Sequence, residues 1–267
     1  MNGKVEVILI YRQDPLPYHG IGSRTELYKR YIKSGKHAID YIICPKPKID
    51  LFENINYYFL KDNKVSKNKI FAKIRYKNEI LQAILKIIKP NKKYIIKIID
   101  DTGLVVDLNK MFLANKLSRK QFKLVFFYHG FELQLNEEKI KHFTQAINHV
   151  VYLTHLSYQY NKSKFNVFPP TASVMHNGID DNKFKTITES EKDDLRSHLN
   201  LNKEDIIFMW CSQDRPKKGI DLTLKFWSHV MSKHKKAKLL IVGIDREIKR
   251  KGIINIGKVP NDNLSKY

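Results

Sequence analysis

Short runs of Ile and Val alternate along the chain with stretches of helical spacing. The apolar runs Val5–Tyr11, Ala38–Ile43, Tyr57–Leu60, Tyr94–Ile99, Leu124–Tyr128, His149–Leu153 and Ser173–Met175 read as strands. Near-continuous apolar runs are what strands of a parallel sheet need, because helices cover both faces. Helices between the strands complete βαβ units. Ser23–Lys33 predicts a helix that ends before Gly35, a suitable C-cap. Asn68–Lys89 predicts a long helix that stops at Pro90. Its Ile70, Ile74, Leu81, Leu85 and Ile88 recur at helical spacing, while Lys69, Lys73 and Lys77, with Arg75 nearby, form a basic stripe.

The character changes after "NGIDDNKF". The segment "KTITESEKDD" reads as a linker running into a helix that Ser190 or Thr188 caps. The alternation then restarts with strand Ile206–Cys211, helix Leu222–Lys233, strand Lys238–Val242 and strand Ile253–Ile256. The pattern predicts an α/β protein of two Rossmann-like domains, 1–185 and 186–267. The second is small beside a usual domain of about 100–150 residues.

The composition narrows the class. An apolar content of 42% over 267 residues excludes wholesale disorder. Two cysteines, Cys44 and Cys211, exclude a disulfide scaffold and a multi-cysteine zinc site. No apolar run is long enough to span a bilayer, and the opening "KVEVILIY" reads as a strand with no signal-peptide pattern. The expectation is a soluble, cytoplasmic protein. The net charge is +22, of which residues 1–185 carry +16 and residues 186–267 carry +6. Such an excess favours nucleic acid, an acidic lipid surface or a phosphorylated substrate. Lysine supplies 40 of the 49 basic residues, and Ile and Asn are also abundant. A bias in base composition gives the same excess, so charge alone does not choose among partners.

Three segments offer chemistry. In "YHGIGSRTELYKRY", Gly20 and Gly22 stand where a strand hands over to a helix. Free N–H groups at such a helix start meet a phosphate, and glycines let it approach; an ordinary turn has the same composition. In "VFFYHGFEL", His129 follows a buried-looking strand, and ligands of doubly wound sheets bind beyond the carboxyl ends of strands. A histidine there bonds a sugar hydroxyl or serves as acid or base, or simply satisfies neighbouring groups. In "CSQDRPKKGIDLTLKFW", Arg215, Lys217 and Lys218 precede Gly219 at a helix entrance, an arrangement that suits a pyrophosphate or a solvated basic loop. Asp40 near the second strand is a weak match to a ribose-binding acid. Asp100 and Asp101 are adjacent, point apart on a strand, and make a poor joint metal site. His142, His149 and His155 lack metal-ligand spacing, Glu132, Glu137 and Glu138 read as surface residues, and there is no nucleophile elbow or phosphate loop ending Gly-Lys-Ser/Thr.

Taken in order, these segments resemble the GT-B glycosyltransferases, specifically glycosyltransferase family 4, over nearly the whole chain. "LYKRYIKSGKHAIDYIIC" is similar to the family's opening helix and Gly-His turn, with Lys36 inserted between Gly35 and His37. "HVVYLT" with its following tyrosine-containing helix resembles the part before the domain crossover. "SVMHNGIDDNKF" resembles the Pro-Asn-Gly-Val-Asp crossover, with His176 where proline is common. "SQDRPKKGIDLTL" followed by "KLLIVG" resembles the start of the donor domain.

The resemblance implies an acceptor-side first domain and a second domain that takes a nucleotide-activated sugar. It implies that Gly20 and Gly22 approach the donor phosphates, that His129 contacts the transferred sugar, and that Lys218 neutralises the diphosphate with an arginine. Many members place that arginine where this chain has Gln213; Arg215 stands in for it, beside Lys217. It implies no cofactor and no obligatory metal, a nucleotide-diphosphate sugar as substrate, and retention of anomeric configuration. The acceptor is a glycan or a lipid-linked hydroxyl, as in cell-surface polysaccharide or glycolipid synthesis. The basic stripe then rests on an anionic membrane surface, with about 1 kcal/mol per basic residue, on the inner face of the cell membrane, and nucleic acid is not an expected partner. Members carry a glutamate pair later in the donor domain, whereas this chain ends at "GKVPNDNLSKY" with none. The sequence therefore resembles a C-terminally truncated member whose second domain is incomplete, with weak donor binding, little activity and an unpaired sheet edge. Two other readings compete: a basic nucleic-acid-binding protein, and a GT-B sugar-nucleotide epimerase.

Overall fold

The computed structural model describes residues 4–18, 23–61 and 69–267, and for residues 23 and 69–76 the backbone alone. The chain divides into two compact units, Met1–Gly178 and Ile179–Tyr267.

In the first unit, β1 (Glu6–Ile10), β2 (Tyr41–Pro45), β3 (Asn56–Leu60), β4 (Tyr94–Ile99), β5 (Phe122–Tyr128), β6 (His149–Tyr152) and β7 (Ala172–Val174) form one seven-stranded sheet. Its order is β3-β2-β1-β4-β5-β6-β7, and every pairing is parallel. The expected α/β class with a parallel sheet is what forms. The central strands are apolar because both faces are covered. On one face Ile8, Ile96, Ile98, Leu124 and Phe126 pack with Ile84 of α2 (Lys69–Ile87), Leu108 and Phe112 of α3 (Thr102–Ala114) and Phe143 of α4 (Glu137–Ala146). On the other, Leu9, Tyr11 and Ile42 pack with Tyr28 and Ile32 of α1 (Ser23–Lys33).

Caps set where helices begin. The Asp101 carboxylate accepts the Leu104 N–H to open α3, and the Asn136 side chain accepts the Lys139 N–H to open α4. Thr154 accepts the Ser157 N–H to open α5 (His155–Lys164). Gly35 takes a left-handed φ of 69° just past α1, as a helix terminator should. The chain runs from β1 outward through β2 and β3, then returns to β4 on the other side of β1. This reversal opens a crevice at the carboxyl ends of β1 and β4, the place where such sheets receive ligands.

The second unit holds a parallel three-stranded sheet in the order β10-β9-β8, built from β8 (Ile206–Cys211), β9 (Ala237–Val242) and β10 (Ile253–Gly257). Helix α7 (Ile220–Lys233) places Ile220, Leu224, Trp227 and Val230 against Leu239 and Ile241. The helix expected after the polar linker is α6 (Glu189–His198); of the two caps proposed, Thr188 serves, in a reciprocal capping box with Glu191. Among the described residues strand β8 is bonded to a neighbour on one side only, and Ile206, Phe208 and Met209 are exposed. Among the described residues no helix is long and apolar enough to cross a membrane.

Candidate functional site

The sheet order brings Arg12, Asp100, Asp101 and His129 to the carboxyl ends of β1, β4 and β5. Register does this directly: Ile99 lies opposite Phe127, and the Asp100 N–H donates to the Phe127 carbonyl at 3.1 Å, so Asp100 arrives beside His129. The Asp100 carboxylate accepts the His129 backbone N–H at 2.7 Å, with the ring Nδ1 at 3.4 Å from the same oxygen. Its other oxygen pairs with Arg24 on α1. The two side chains are 14% and 9% exposed, so the pair works in a partly dried environment.

The backbone at Asp100 has φ of 50°, a left-handed conformation that few residues other than Gly, Asn and Asp adopt. Strain of this kind concentrates at functional sites. Burial pushes the Asp100 carboxyl upward in pKa. Hydrogen bonds from the His129 ring and backbone, with the charges of His129 and Arg24, more than offset it and hold the group below the usual carboxylate range. An ionised Asp100 is an acceptor matched to a proton on Nδ1 of the ring. Asp101 turns away to cap α3 and to pair with Arg12 at 2.7 Å. The two adjacent carboxylates thus serve different elements. The pairing of Asp100 with His129 is a feature of this site that the sequence spacing does not show.

Tyr11, at the end of β1, is 1% exposed, and its hydroxyl has no hydrogen-bond partner among the described residues. Its pKa is pushed up to about 12, chiefly by burial. Asp40 lies at the opposite, amino end of the sheet, where its carboxylate accepts the Val7 N–H at 2.8 Å and meets Lys4. That removes it from any ribose-binding role at the crevice. Gly20 and Gly22 lie outside the described residues.

In the second unit Arg215, Lys217 and Lys218 gather in one short turn (Pro216–Lys218) ahead of α7. All three are exposed, and their side chains make no ion pair or hydrogen bond among the described residues. Gly219, at φ of 72°, both ends this turn and begins α7 without a side-chain cap, so the first N–H groups of that helix carry no capping oxygen. The Trp210 indole N–H, donated to the Lys218 carbonyl at 3.2 Å, ties the turn to the core. The arrangement is a fixed cationic loop at a helix start, as an anionic diphosphate requires. Of the basic stripe on α2, Lys77 is paired with Asp107; the side chains of Lys69, Lys73 and Arg75 lie outside the described residues. No group of three His, Cys, Asp or Glu side chains converges among the described residues.

No protein-family model and no curated protein matches the sequence. Solved structures do. The Anabaena protein Alr3699/HepE, crystallised in complex with UDP and glucose, superposes with a TM-score of 0.65 at 11% identity, over 98% of this chain and 71% of its own. WaaG, a glycosyltransferase involved in lipopolysaccharide biosynthesis, gives 0.60 at 14% identity, over 97% and 71%. The UDP-forming α,α-trehalose-phosphate synthase of Burkholderia vietnamiensis gives 0.64 at 9%, over 98% and 75%. Identities this low speak for the fold alone, and the fold they share with this chain is that of the GT-B glycosyltransferases.

Proposed function

We propose that the chain is a glycosyltransferase moving a sugar from a nucleoside-diphosphate donor to a hydroxyl acceptor. The observation that carries this reading is His129, held at the carboxyl end of β5 by a partly buried, ionised Asp100, in a chain with the GT-B fold. Solved neighbours that hold UDP and glucose, or that form UDP, support a nucleotide sugar as substrate.

The chemistry follows from charge. Departure of a nucleoside diphosphate builds negative charge on the leaving oxygens, and prearranged cations and N–H donors stabilise it most in the transition state. Arg215, Lys217, Lys218 and the start of α7 supply both. By the resemblance to family 4, His129 contacts a hydroxyl of the transferred sugar. Retention of configuration, a glycan or lipid-linked acceptor, a place in cell-surface polysaccharide or glycolipid synthesis and peripheral attachment to an anionic membrane belong to the same proposal. They rest on the resemblance to family 4.

Calorimetric titration with UDP and release of UDP from UDP-glucose test the reading. The triple variant R215A/K217A/K218A lowers UDP affinity at least about tenfold, the equivalent of about 1.4 kcal/mol, and His129→Ala removes UDP release while sparing UDP affinity. UDP affinity indifferent to the three cations, together with release indifferent to His129, overturns it.

A further inference from the structure

Helix α5 carries two polar side chains that are almost wholly buried, Ser157 at 1% exposure and Asn161 at 0%. Both turn toward the residues that directly follow His129. The Asn161 Oδ1 accepts the Leu133 N–H at 2.8 Å, and its Nδ2 donates to the Phe131 carbonyl at 2.8 Å and to the Ser157 carbonyl at 2.7 Å. The Ser157 hydroxyl donates to the Phe131 carbonyl at 2.6 Å, with the Gly130 carbonyl at 3.3 Å. Every donor of the Asn161 amide and its oxygen are in use, and such a network is rigid because losing any one bond strands its partner in a dry place.

His129 therefore sits between two anchors. Its own N–H is held by Asp100, just past β4, and peptide groups after it are held by α5. The Tyr128 hydroxyl donates to the Glu132 carbonyl within the same turn, and its ring lies where a Cβ at Gly130 would stand. The backbone is thus bonded on both sides of His129 by groups outside its loop.

We propose that Ser157 and Asn161 are positioning residues for His129. The proposal rests on the reading of His129 as the group that faces the sugar. It differs from a plain stabilising role in that the ring of His129, about one residue beyond the bonded groups, must respond when the bonds are removed.

The test uses the full chain with 15N-labelled histidine rings, whose spectra report which ring nitrogen carries the proton. His129→Gln identifies the His129 signals by their loss. Ser157→Ala and Asn161→Leu are expected to shift or broaden the His129 signals and to leave the other histidines as they were. Hydrogen exchange of the amides of residues 130–133 is expected to rise at least about tenfold. Thr144→Ala, which removes a comparable side-chain bond to the Ile140 carbonyl on α4, leaves the His129 signals in place. Faster exchange at residues 130–133 with unmoved His129 signals overturns the proposal, and so does unchanged exchange. If Asn161→Leu does not fold, Ser157→Ala decides. UDP release from UDP-glucose separates the two claims: its presence supports the glycosyltransferase reading, while the ring spectra decide on positioning whether or not it occurs. Where release occurs, the clamp variants lose about 10- to 100-fold in kcat with KM within about threefold, the pattern of a misplaced reacting group. A rise in KM at constant kcat overturns it.

Discussion

Replacing Asp100 with alanine removes three things at once. The His129 N–H loses its acceptor at 2.7 Å in a partly buried site, which costs about 1–3 kcal/mol for an unsatisfied donor. Arg24, whose side chain is 33% exposed, loses its carboxylate, and solvent limits that loss to about 1 kcal/mol or less. Alanine at a φ of 50° adds a left-handed penalty of up to about 1 kcal/mol relative to aspartate. Together these come to about 3 kcal/mol of local stability. Asp100→Asn keeps an oxygen for the His129 N–H and tolerates the left-handed backbone, so it loses only about 1 kcal/mol, mostly the charge pairing with Arg24. Hydrogen exchange of the His129 amide is the direct assay, because it reads the lost bond itself. Protection is expected to fall more than about 100-fold in Asp100→Ala and about fivefold in Asp100→Asn. Equal protection in wild type and Asp100→Ala, or equal loss in the two variants, refutes the reasoning.

Other expectations follow from the same geometry. Because the folded pKa of Asp100 is held below the unfolded reference of 3.8, its contribution to stability is complete above that value and is lost as pH falls through the folded pKa; acid denaturation followed by circular dichroism will show a steeper loss below about pH 4 in wild type than in Asp100→Asn. Cys44 is fully buried with its thiol pKa pushed up to about 12 by desolvation, whereas Cys211 is exposed, so a thiol reagent will label only Cys211 in the native chain and both cysteines in denaturant. Gly243 has φ of 101°, and a Cβ there would overlap the Ser212 carbonyl; Gly243→Ala will lower the urea midpoint of tryptophan emission, by more than about 2 kcal/mol in stability.

The strands were legible because a parallel sheet covered on both faces leaves a plain apolar signature, as in "YIIKII". Boundaries followed less well. The strand expected at Ala38–Ile43 is observed at Tyr41–Pro45, with Asp40 at its foot, where its carboxylate accepts the Val7 N–H. Helix α3 was not singled out, although Asp101, between the "YIIKII" strand and "TGLVVDLNKMFLA", is its N-cap. His129 could be nominated from its place after a strand. Its partner Asp100 is 29 residues away, and only the β4–β5 register reveals the pair. Asn161 and Ser157 were invisible for the same reason: they read as ordinary polar positions of a helix until its orientation is known.

The half-bonded strand β8 has a consequence for how copies of the molecule behave toward each other. Its outer row of amides and carbonyls, flanked by Ile206, Phe208 and Met209, is a template for another strand. What opposes that encounter is the mutual repulsion of molecules carrying +22. Repulsion reaches only about 8 Å at physiological salt and about 3 Å at 1 M. Raising the salt therefore withdraws the barrier and leaves the template, so the chain will be most soluble in dilute buffer and will self-associate as the ionic strength climbs.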